Sequence, residues 1–272
     1  MEIKQKQRNQ LVYKYFIKTP DKPNYTGYFI GIAIFALLML IGFSQRGGMA
    51  VFLGLIGLVG LGIVFKKFYT RKKEYTDAFN RAEPKATDKQ MDDWFEQGKQ
   101  MVIAEARKRL DIDADDELAD APMIDGPADG SYLGPGTDRV LRFNKHNILL
   151  IFLTDHNVAT FQCILDLGLG EILQDRTKEF PYKDITNLET QTANQNFHYR
   201  NEEKIAIKGL QTLSLYTSGG NVISVNYIFS KNTGTGTDDY IYPNSNAENT
   251  IRAIRKRLKD YKDNLSSESR QL

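Results

Sequence analysis

Two apolar runs near the N-terminus, residues 25–43 and 49–65, constrain the fold of this chain more than any other feature. Each is close to the roughly 20 residues that an α-helix needs to cross the hydrocarbon core of a bilayer, and neither contains a charged residue. Residues 44–48 between them are enough only for a tight turn. The sequence therefore predicts an antiparallel transmembrane hairpin over residues 25–66. A signal peptide is disfavoured, because the first run starts late and a second run follows it at once.

The distribution of charge predicts the orientation of this hairpin. Residues 1–82 contain thirteen Lys and Arg and four Asp and Glu, a net charge of +9, and the turn between the runs contains only Arg46. Positively charged flanks stay in the cytoplasm, so we expect both termini in the cytoplasm and the turn on the outer side. Residues 83–130 carry fourteen acidic and six basic residues, a net charge of −8. The total charge of +2 therefore results from a basic segment and an acidic segment whose charges nearly cancel.

Glycines recur within both runs. Gly27 and Gly31 are spaced by four residues in the first run, and Gly54, Gly57 and Gly60 recur every third residue in the second. Small residues at these spacings let helix backbones approach closely, either within the hairpin or between copies of the chain, where they pack or line a pore. Neither run contains an ionisable side chain that a proton relay or a voltage sensor would use, whereas a pore gated by dewetting needs none.

The remaining sequence divides into segments of distinct composition. A capping box at Thr87 and Gln90 starts an amphipathic helix that ends near Leu110, and its apolar stripe must pack on another element. We interpret the first 24 residues as a basic membrane flank or as a short amphipathic helix at the headgroups or against a partner. The predicted segments are 1–24, basic and cytoplasmic; 67–112, a helical connector; 113–138, an acidic linker; 139–265, a cytoplasmic domain; and 266–272, a tail.

The cytoplasmic domain is rich in short β-forming stretches separated by turn-like breaks. A helix with one apolar and one basic face follows them, over residues 246–264. The predicted fold is an α+β membrane protein with a two-helix transmembrane hairpin, a helical connector and a seven-stranded antiparallel domain with a C-terminal helix. The seven strands are expected at residues 140–143, 147–154, 158–165, 171–182, 185–192, 210–217 and 221–228.

This order of seven strands and one C-terminal helix resembles the pleckstrin-homology-like (PH-like) architecture. Stretches at residues 87–94, 179–185, 216–220 and 247–255 are similar to ones that recur in bacterial proteins with a two-helix membrane anchor and a PH-like cytoplasmic domain. This resemblance implies a protein of the bacterial inner (plasma) membrane. The architecture also resembles the Hailong-type membrane effectors of antiphage defence. That resemblance implies an oligomeric effector that permeabilises the membrane and is held by a nucleic-acid oligomer, which a partner nucleotidyltransferase makes.

No residue pattern in the sequence points to catalysis. His146, His156 and His198 lack Cys or acidic partners at metal-ligand spacing, and the chain has neither a P-loop nor a Gly-x-Ser-x-Gly elbow. We therefore predict a protein that is not an enzyme and that uses no cofactor or metal. The single cysteine, Cys163, lies in an apolar run and is expected to be a buried structural thiol.

A ligand-binding site can be predicted, because basic and aromatic residues cluster near predicted strand ends. Such mixtures hold phosphate or single-stranded nucleic acid through charge and base stacking, and solvated loop charges are the alternative. The candidate ligand-binding residues are Arg139, Arg142, Lys145, His198, Tyr199, Arg200 and Lys204.

Two functions fit these observations. The first is an oligomeric, channel-forming membrane effector in antiphage defence, gated by a ligand or partner at its cytoplasmic domain. The second is a membrane-tethered PH-like adaptor that binds a protein or a lipid. The expected partners are membrane lipid, further copies of the chain, a nucleotide or single-stranded nucleic-acid oligomer, and a partner nucleotidyltransferase.

Overall fold

The computed structural model describes residues 2–44, 47–112, 122–154, 157–198, 204–220, 222–228, 241 and 247–268. It is an α+β structure that separates into two compact units. The hairpin unit is Lys18–Pro84, and the β unit combines Met1–Ile17 with Lys85–Leu272. The hairpin is therefore an insertion, and the β unit is built from the chain on both sides of it.

The described elements are five α-helices, nine strands and one short 3-10 helix, Tyr182–Asp184. The helices are α1 (Glu2–Tyr15), α2 (Thr26–Ser44), α3 (Gly48–Ala82), α4 (Asp88–Leu110) and α5 (Ala247–Glu268). The strands are β1 (Met123–Pro127), β2 (Leu133–Pro135), β3 (Leu141–Phe143), β4 (Lys145–Leu153), β5 (Asn157–Asp166), β6 (Glu171–Pro181), β7 (Ile185–His198), β8 (Lys204–Thr217) and β9 (Val222–Ile228).

Helices α2 and α3 form the hairpin unit, and both are long and apolar enough to cross a membrane. Glycines on α3 allow their close packing. A Cβ atom on Gly57 would lie 2.6 Å from the backbone nitrogen of Met39, and one on Gly60 would overlap the ring of Phe35. Since aliphatic side chains on the other faces are exposed, as at Leu37 and Leu40, the two helices bury mainly their glycine face.

The centre of the β unit is a four-stranded antiparallel sheet in the order β1-β4-β5-β6. One face of β4 presents Ile148, Leu150 and Phe152 to a core that includes residues of α1 and α4. The opposite face presents Leu149 and Ile151 to a second core, which includes residues of β7, β8, β9 and α5. Because β4 is buried on both faces, its sequence reads as a continuous apolar run rather than an alternating one.

The second sheet has the order β7-β8-β9, and a two-stranded sheet pairs β2 with β3. Strand β9 passes so close to β1 that a Cβ atom on Gly126 would overlap the carbonyl oxygen of Asn226. Helix α5 covers the second core with Ala247, Ile251 and Ile254. Its amphipathic pattern is thus explained by packing on this core.

Each of the seven predicted stretches is a strand, but the count of seven is corrected, because the structure has two more within the described residues. Both β1 and β2 lie in the segment assigned to an acidic linker, whose residues 113–121 are outside the described ones. Strand β1 pairs with β4 along its length, opposite Leu150 at Met123 and opposite His146 at Pro127. Its Asp, Gly and Pro residues weaken the local β signal, and pairing with a buried neighbour overrides it.

Helix α4 confirms the predicted capping box. The Thr87 hydroxyl accepts a hydrogen bond from the Gln90 amide at 3.2 Å, and the Gln90 side chain accepts one from the Thr87 amide at 2.9 Å. The buried face of α4 carries Met91, Gly98, Val102 and Ala106. A Cβ atom on Gly98 would lie 2.5 Å from Leu165 Cδ2, so this glycine lets α4 pack closely on β5.

Helix α1 packs within the β unit, so Glu2–Tyr15 form a helix on the core of that unit and differ in this from the membrane flank or headgroup helix expected for the first 24 residues. Residues 18–24 belong to the hairpin unit. Val12, Tyr15 and Phe16 are buried in the same core as α4. At the other end of α1, Gln5 Nε2 donates to the Leu169 carbonyl at 2.8 Å and Arg8 Nε donates to the Leu167 carbonyl at 2.6 Å. The turn between β5 and β6 therefore holds α1 by directional contacts.

Candidate functional site

Arg142, one of the predicted ligand-binding residues, is buried at the centre of an ion-pair network. Its guanidinium donates to both carboxylate oxygens of Asp92, at 2.7 Å each, and to both of Asp138, at 2.8 Å each. Asp88 lies 3.9 Å away and accepts hydrogen bonds from Thr137. Nη1 also donates to the Val140 carbonyl at 3.2 Å. The guanidinium is thus occupied by two carboxylates and one carbonyl, so the network joins α4 to β3 and leaves no guanidinium edge for a ligand.

Of the other predicted residues, the structure describes the side chains of Arg139 and Lys145, and neither takes part in the Arg142 network. Arg139 is exposed in the turn before β3, with a positive φ of 64°, and Lys145 begins β4 opposite Asp166. His198 and Lys204 pair at the ends of β7 and β8. Their side chains, and all of Tyr199 and Arg200, lie outside the described residues.

His146, noted in the sequence, is a core residue. Its ring stacks on Phe95 with centroids 4.1 Å apart, and Nδ1 lies 3.6 Å from an Asp125 carboxylate oxygen. Within the described part of the chain, no group of three or more His, Cys, Asp and Glu side chains is arranged to hold a metal ion. Burial raises the pKa of the Cys163 thiol to about 12, so this cysteine is protonated and unreactive at neutral pH.

The best candidate site is an open cleft of about 380 Å³ between α5 and the β7-β8-β9 sheet. It lies where the second core reaches solvent. The inward side chains of β8 change along the strand from apolar Leu215 and Leu213 to polar Gln211. The cleft is lined by Thr190 of β7, Gln211 of β8, Tyr227 of β9, and Glu248, Ile251, Arg252 and Arg255 of α5.

One wall of the cleft is polar and neutral. Gln211 and Tyr227 are register partners on β8 and β9, and the Tyr227 hydroxyl donates to Gln211 Oε1 at 2.5 Å. Burial, together with the negative charge of Glu248, raises the pKa of Tyr227 against the opposing effect of Arg255. The hydroxyl therefore stays protonated at physiological pH and remains a hydrogen-bond donor.

The opposite wall is positively charged. Arg252 and Arg255 are exposed on α5, three residues apart, and neither has an ion-pair or hydrogen-bond partner among the described residues. With Glu248 the wall has two positive charges and one negative charge. Guanidinium groups bind carboxylate and phosphate through paired hydrogen bonds, so the cleft suits an anionic group that reaches a polar floor beside Ile251.

The sequence predicted a basic face on α5 but did not indicate this cleft. The available signal was the polar Gln211 at an inward position of β8, two residues before inward Leu213. This signal can be recognised only once the register of β8 is known. The arginines that face Gln211 lie on α5, more than 40 residues further along the chain. No protein-family model, curated protein or solved structure matches the chain.

Proposed function

We propose that this chain is a membrane-tethered binding protein, not an enzyme, whose β unit is a PH-like cytoplasmic domain that binds an anionic segment of a partner protein. The observation that carries this proposal is the cleft between α5 and the second sheet, at whose wall Arg252 and Arg255 have no ion-pair or hydrogen-bond partner within the part of the chain that the structure describes. An adaptor needs only a surface that binds its partner. The cleft provides such a surface, with positive charge and hydrogen-bonding side chains.

Membrane insertion of the hairpin unit is supported by the length of α2 and α3 and by their exposed aliphatic side chains. It is also supported by the composition of the β unit, because Met1–Ile17 and Lys85–Leu272 form one compact body. Two segments of one body lie on the same side of a bilayer, so the chain between them crosses an even number of times. A two-helix crossing with the basic flanks in the cytoplasm meets this condition.

A PH-like assignment is supported by the arrangement of the elements. Two antiparallel sheets enclose a core, and a C-terminal helix covers that core with Ile251 and Ile254. The structure adds β1 as a partner of β4, so the first sheet has four strands, followed by three in the second. These two sheets together hold seven strands, the number expected of the architecture, with β1 among them in place of β3, which pairs with β2.

Binding in the cleft is tested with the full chain in lipid nanodiscs and two labelled anionic probes, an oligoglutamate peptide and oligothymidylate. We expect the peptide to bind and Arg252→Gln with Arg255→Gln to weaken its binding by tenfold or more, corresponding to about 1.4 kcal/mol or more. The matched control is Lys89→Gln with Lys108→Gln, two exposed cations on α4. Absence of peptide binding to the unmodified chain, or an equal loss in the control, would overturn the proposal.

The second candidate function is the oligomeric, channel-forming effector of antiphage defence, with a nucleic-acid oligomer from a partner nucleotidyltransferase as its ligand. The glycines Gly54, Gly57 and Gly60 support it less than the sequence suggested, because they pack against α2 of the same chain. The observation that favours it is different. A Cβ atom on Gly27 or Gly62 would meet nothing within 4 Å, which leaves backbone surface open to another helix.

The oligomeric state separates the two candidates. A monomer in nanodiscs and in mild detergent, with oligothymidylate failing to bind, would exclude the effector and leave the adaptor. An oligomer that Gly27→Leu with Gly62→Leu disrupts, together with depolarisation of expressing cells that the same change abolishes, would favour the effector.

A further inference from the structure

Helix α5 carries a row of lysines that the cleft does not use. Lys256, Lys259 and Lys262, the lysine row, are exposed, and none of them has an ion-pair or hydrogen-bond partner among the described residues. They are spaced three residues apart, so each neighbours the next on the helix surface, and all three are exposed whereas Ile254 is buried. At 1.5 Å per residue, the row with Arg252 before it extends for about 15 Å.

The surrounding charge is strongly positive. Between Arg252 and Asp263, α5 has six basic residues and two acidic ones, so this stretch has a net charge of +4. The opposite face of α5 is fixed on the second core by Ala247, Ile251 and Ile254. The lysine row therefore lies on the convex outer surface of a packed helix, where other residues of the β unit do not bury it.

We infer that the lysine row docks the β unit on the anionic surface of the membrane that the hairpin unit spans. This inference rests on the proposed membrane insertion, but it assigns a separate surface from the cleft. Basic clusters beside a membrane are attracted to anionic headgroups within about a Debye length, roughly 8 Å at physiological ionic strength. Because the β unit is joined to the hairpin at both Ile17 and Lys85, its local concentration at the bilayer is high.

A bilayer fits the row better than single-stranded nucleic acid does. Nucleic-acid grooves combine cations with aromatic side chains on which bases stack. The aromatic residue of α5 near the row, Tyr261, is partly buried and packs on Tyr182 with ring centroids 5.3 Å apart. The three side chains of the lysine row end in flexible ammonium groups on a convex helix surface, and such groups suit a flat array of lipid headgroups.

The test uses the full chain with Asp260→Cys, an exposed position on α5, labelled with a fluorescent dye. Cys163 is buried and does not compete for the label. The chain is reconstituted in nanodiscs of phosphatidylcholine alone or with phosphatidylglycerol, each with a trace of lipid that carries a quencher on its headgroup. We expect several-fold stronger quenching in the phosphatidylglycerol discs, reduced by high salt.

The variant Lys256→Glu, Lys259→Glu and Lys262→Glu should lose this quenching. The matched control, Lys89→Glu, Lys108→Glu and Lys183→Glu, makes the same change of charge at other exposed positions and should retain it. Equal quenching in both kinds of disc, or an equal loss in the control, would overturn the inference. Protection of the dye by oligothymidylate in both kinds of disc would also overturn it, in favour of nucleic acid. Failure of membrane insertion is seen separately, as failure of the chain to co-purify with either disc.

Discussion

The Tyr15 hydroxyl donates a hydrogen bond to Oδ1 of Asp88 at 2.8 Å, across 73 residues of chain. Close by, the Ala86 amide donates to the Leu11 carbonyl at 3.2 Å. Tyr15 lies just before the inserted hairpin unit and Asp88 just after it, so these bonds close the β unit at the base of the insertion. Burial and the bond to Asp88 raise the pKa of Tyr15, which therefore remains a donor at physiological pH.

Arg142→Gln should destabilise the β unit, because it leaves Asp88, Asp92 and Asp138 close together without their shared cation. Loss of one partner of a buried ion pair costs about 3–5 kcal/mol, and we expect about 2–4 here because Asp92 and Asp138 are partly exposed. Thermal unfolding of the purified chain measures the change. Arg139→Gln, an exposed control three residues away, should shift stability by less than about 0.5 kcal/mol. Equal effects of the two changes would contradict the network.

Acid should weaken the same network. Hydrogen bonds from Arg142 lower the pKa of Asp138 to about 2, although its partial burial acts in the opposite direction. An unfolded Asp has a pKa of about 3.9, so this group adds stability above about pH 4 that is lost as the pH falls towards 2. Melting temperatures measured across this interval should decline less steeply for Asp138→Asn than for the unmodified chain. The same slope for Asp138→Asn as for the exposed control Asp129→Asn would argue against this role.

Gly57→Ala should disturb the packing of α2 on α3. The new Cβ atom would lie 2.6 Å from the Met39 amide nitrogen and 2.9 Å from the Phe35 carbonyl oxygen, and backbone atoms cannot rotate away. Overpacking of this kind costs about 1–3 kcal/mol, observable as a lower melting temperature in detergent. Gly27→Ala is the control, since its Cβ would meet nothing within 4 Å. If Gly27→Ala were as destabilising as Gly57→Ala, the glycine face would not be the contact surface.

Arg8→Ala should loosen α1 from the β unit without unfolding the sheets. Arg8 bonds the Leu167 carbonyl and lies over the Trp94 ring at 5.0 Å, so its loss removes contacts with both the β5–β6 turn and α4. A hydrogen bond from a charged group contributes about 1.5–3 kcal/mol. We expect α1 amides to exchange hydrogen roughly tenfold faster or more, with unchanged exchange in β4. Exposed Lys6→Ala should leave exchange unaltered, and a similar change there would refute a specific role for Arg8.

Elements with a strong local pattern were predictable. The two uncharged apolar runs identified α2 and the apolar part of α3, and the capping box at Thr87 identified the start of α4. Strand β4 was recognisable from its apolar run, and a run of this kind also indicates burial on both faces. Burial on both faces requires a packed layer on each side of the first sheet, supplied here by α1 and α4 on one side and by the second sheet with α5 on the other.

The missed features depend on contacts between distant residues. Strand β1 contains Asp125, Gly126 and Pro127, which favour a loop locally, and it forms a strand because β4 is available as a partner. Arg142 was indistinguishable from a surface cation until Asp92, 50 residues earlier, was placed beside it. The cleft likewise arises where β7, β8, β9 and α5 meet, and no single stretch contains enough of its residues to indicate it.

The construction of the β unit from both flanks of an insertion has a consequence for biosynthesis. Helix α1 is synthesised before the hairpin unit, yet the carbonyls that hold Gln5 and Arg8 are 164 and 159 residues further along the chain. The hairpin unit must therefore be synthesised before α1 has a surface to dock on. Completion of this body at α1 thus depends on the chain on both sides of the hairpin unit, and it cannot precede synthesis of the β5–β6 turn.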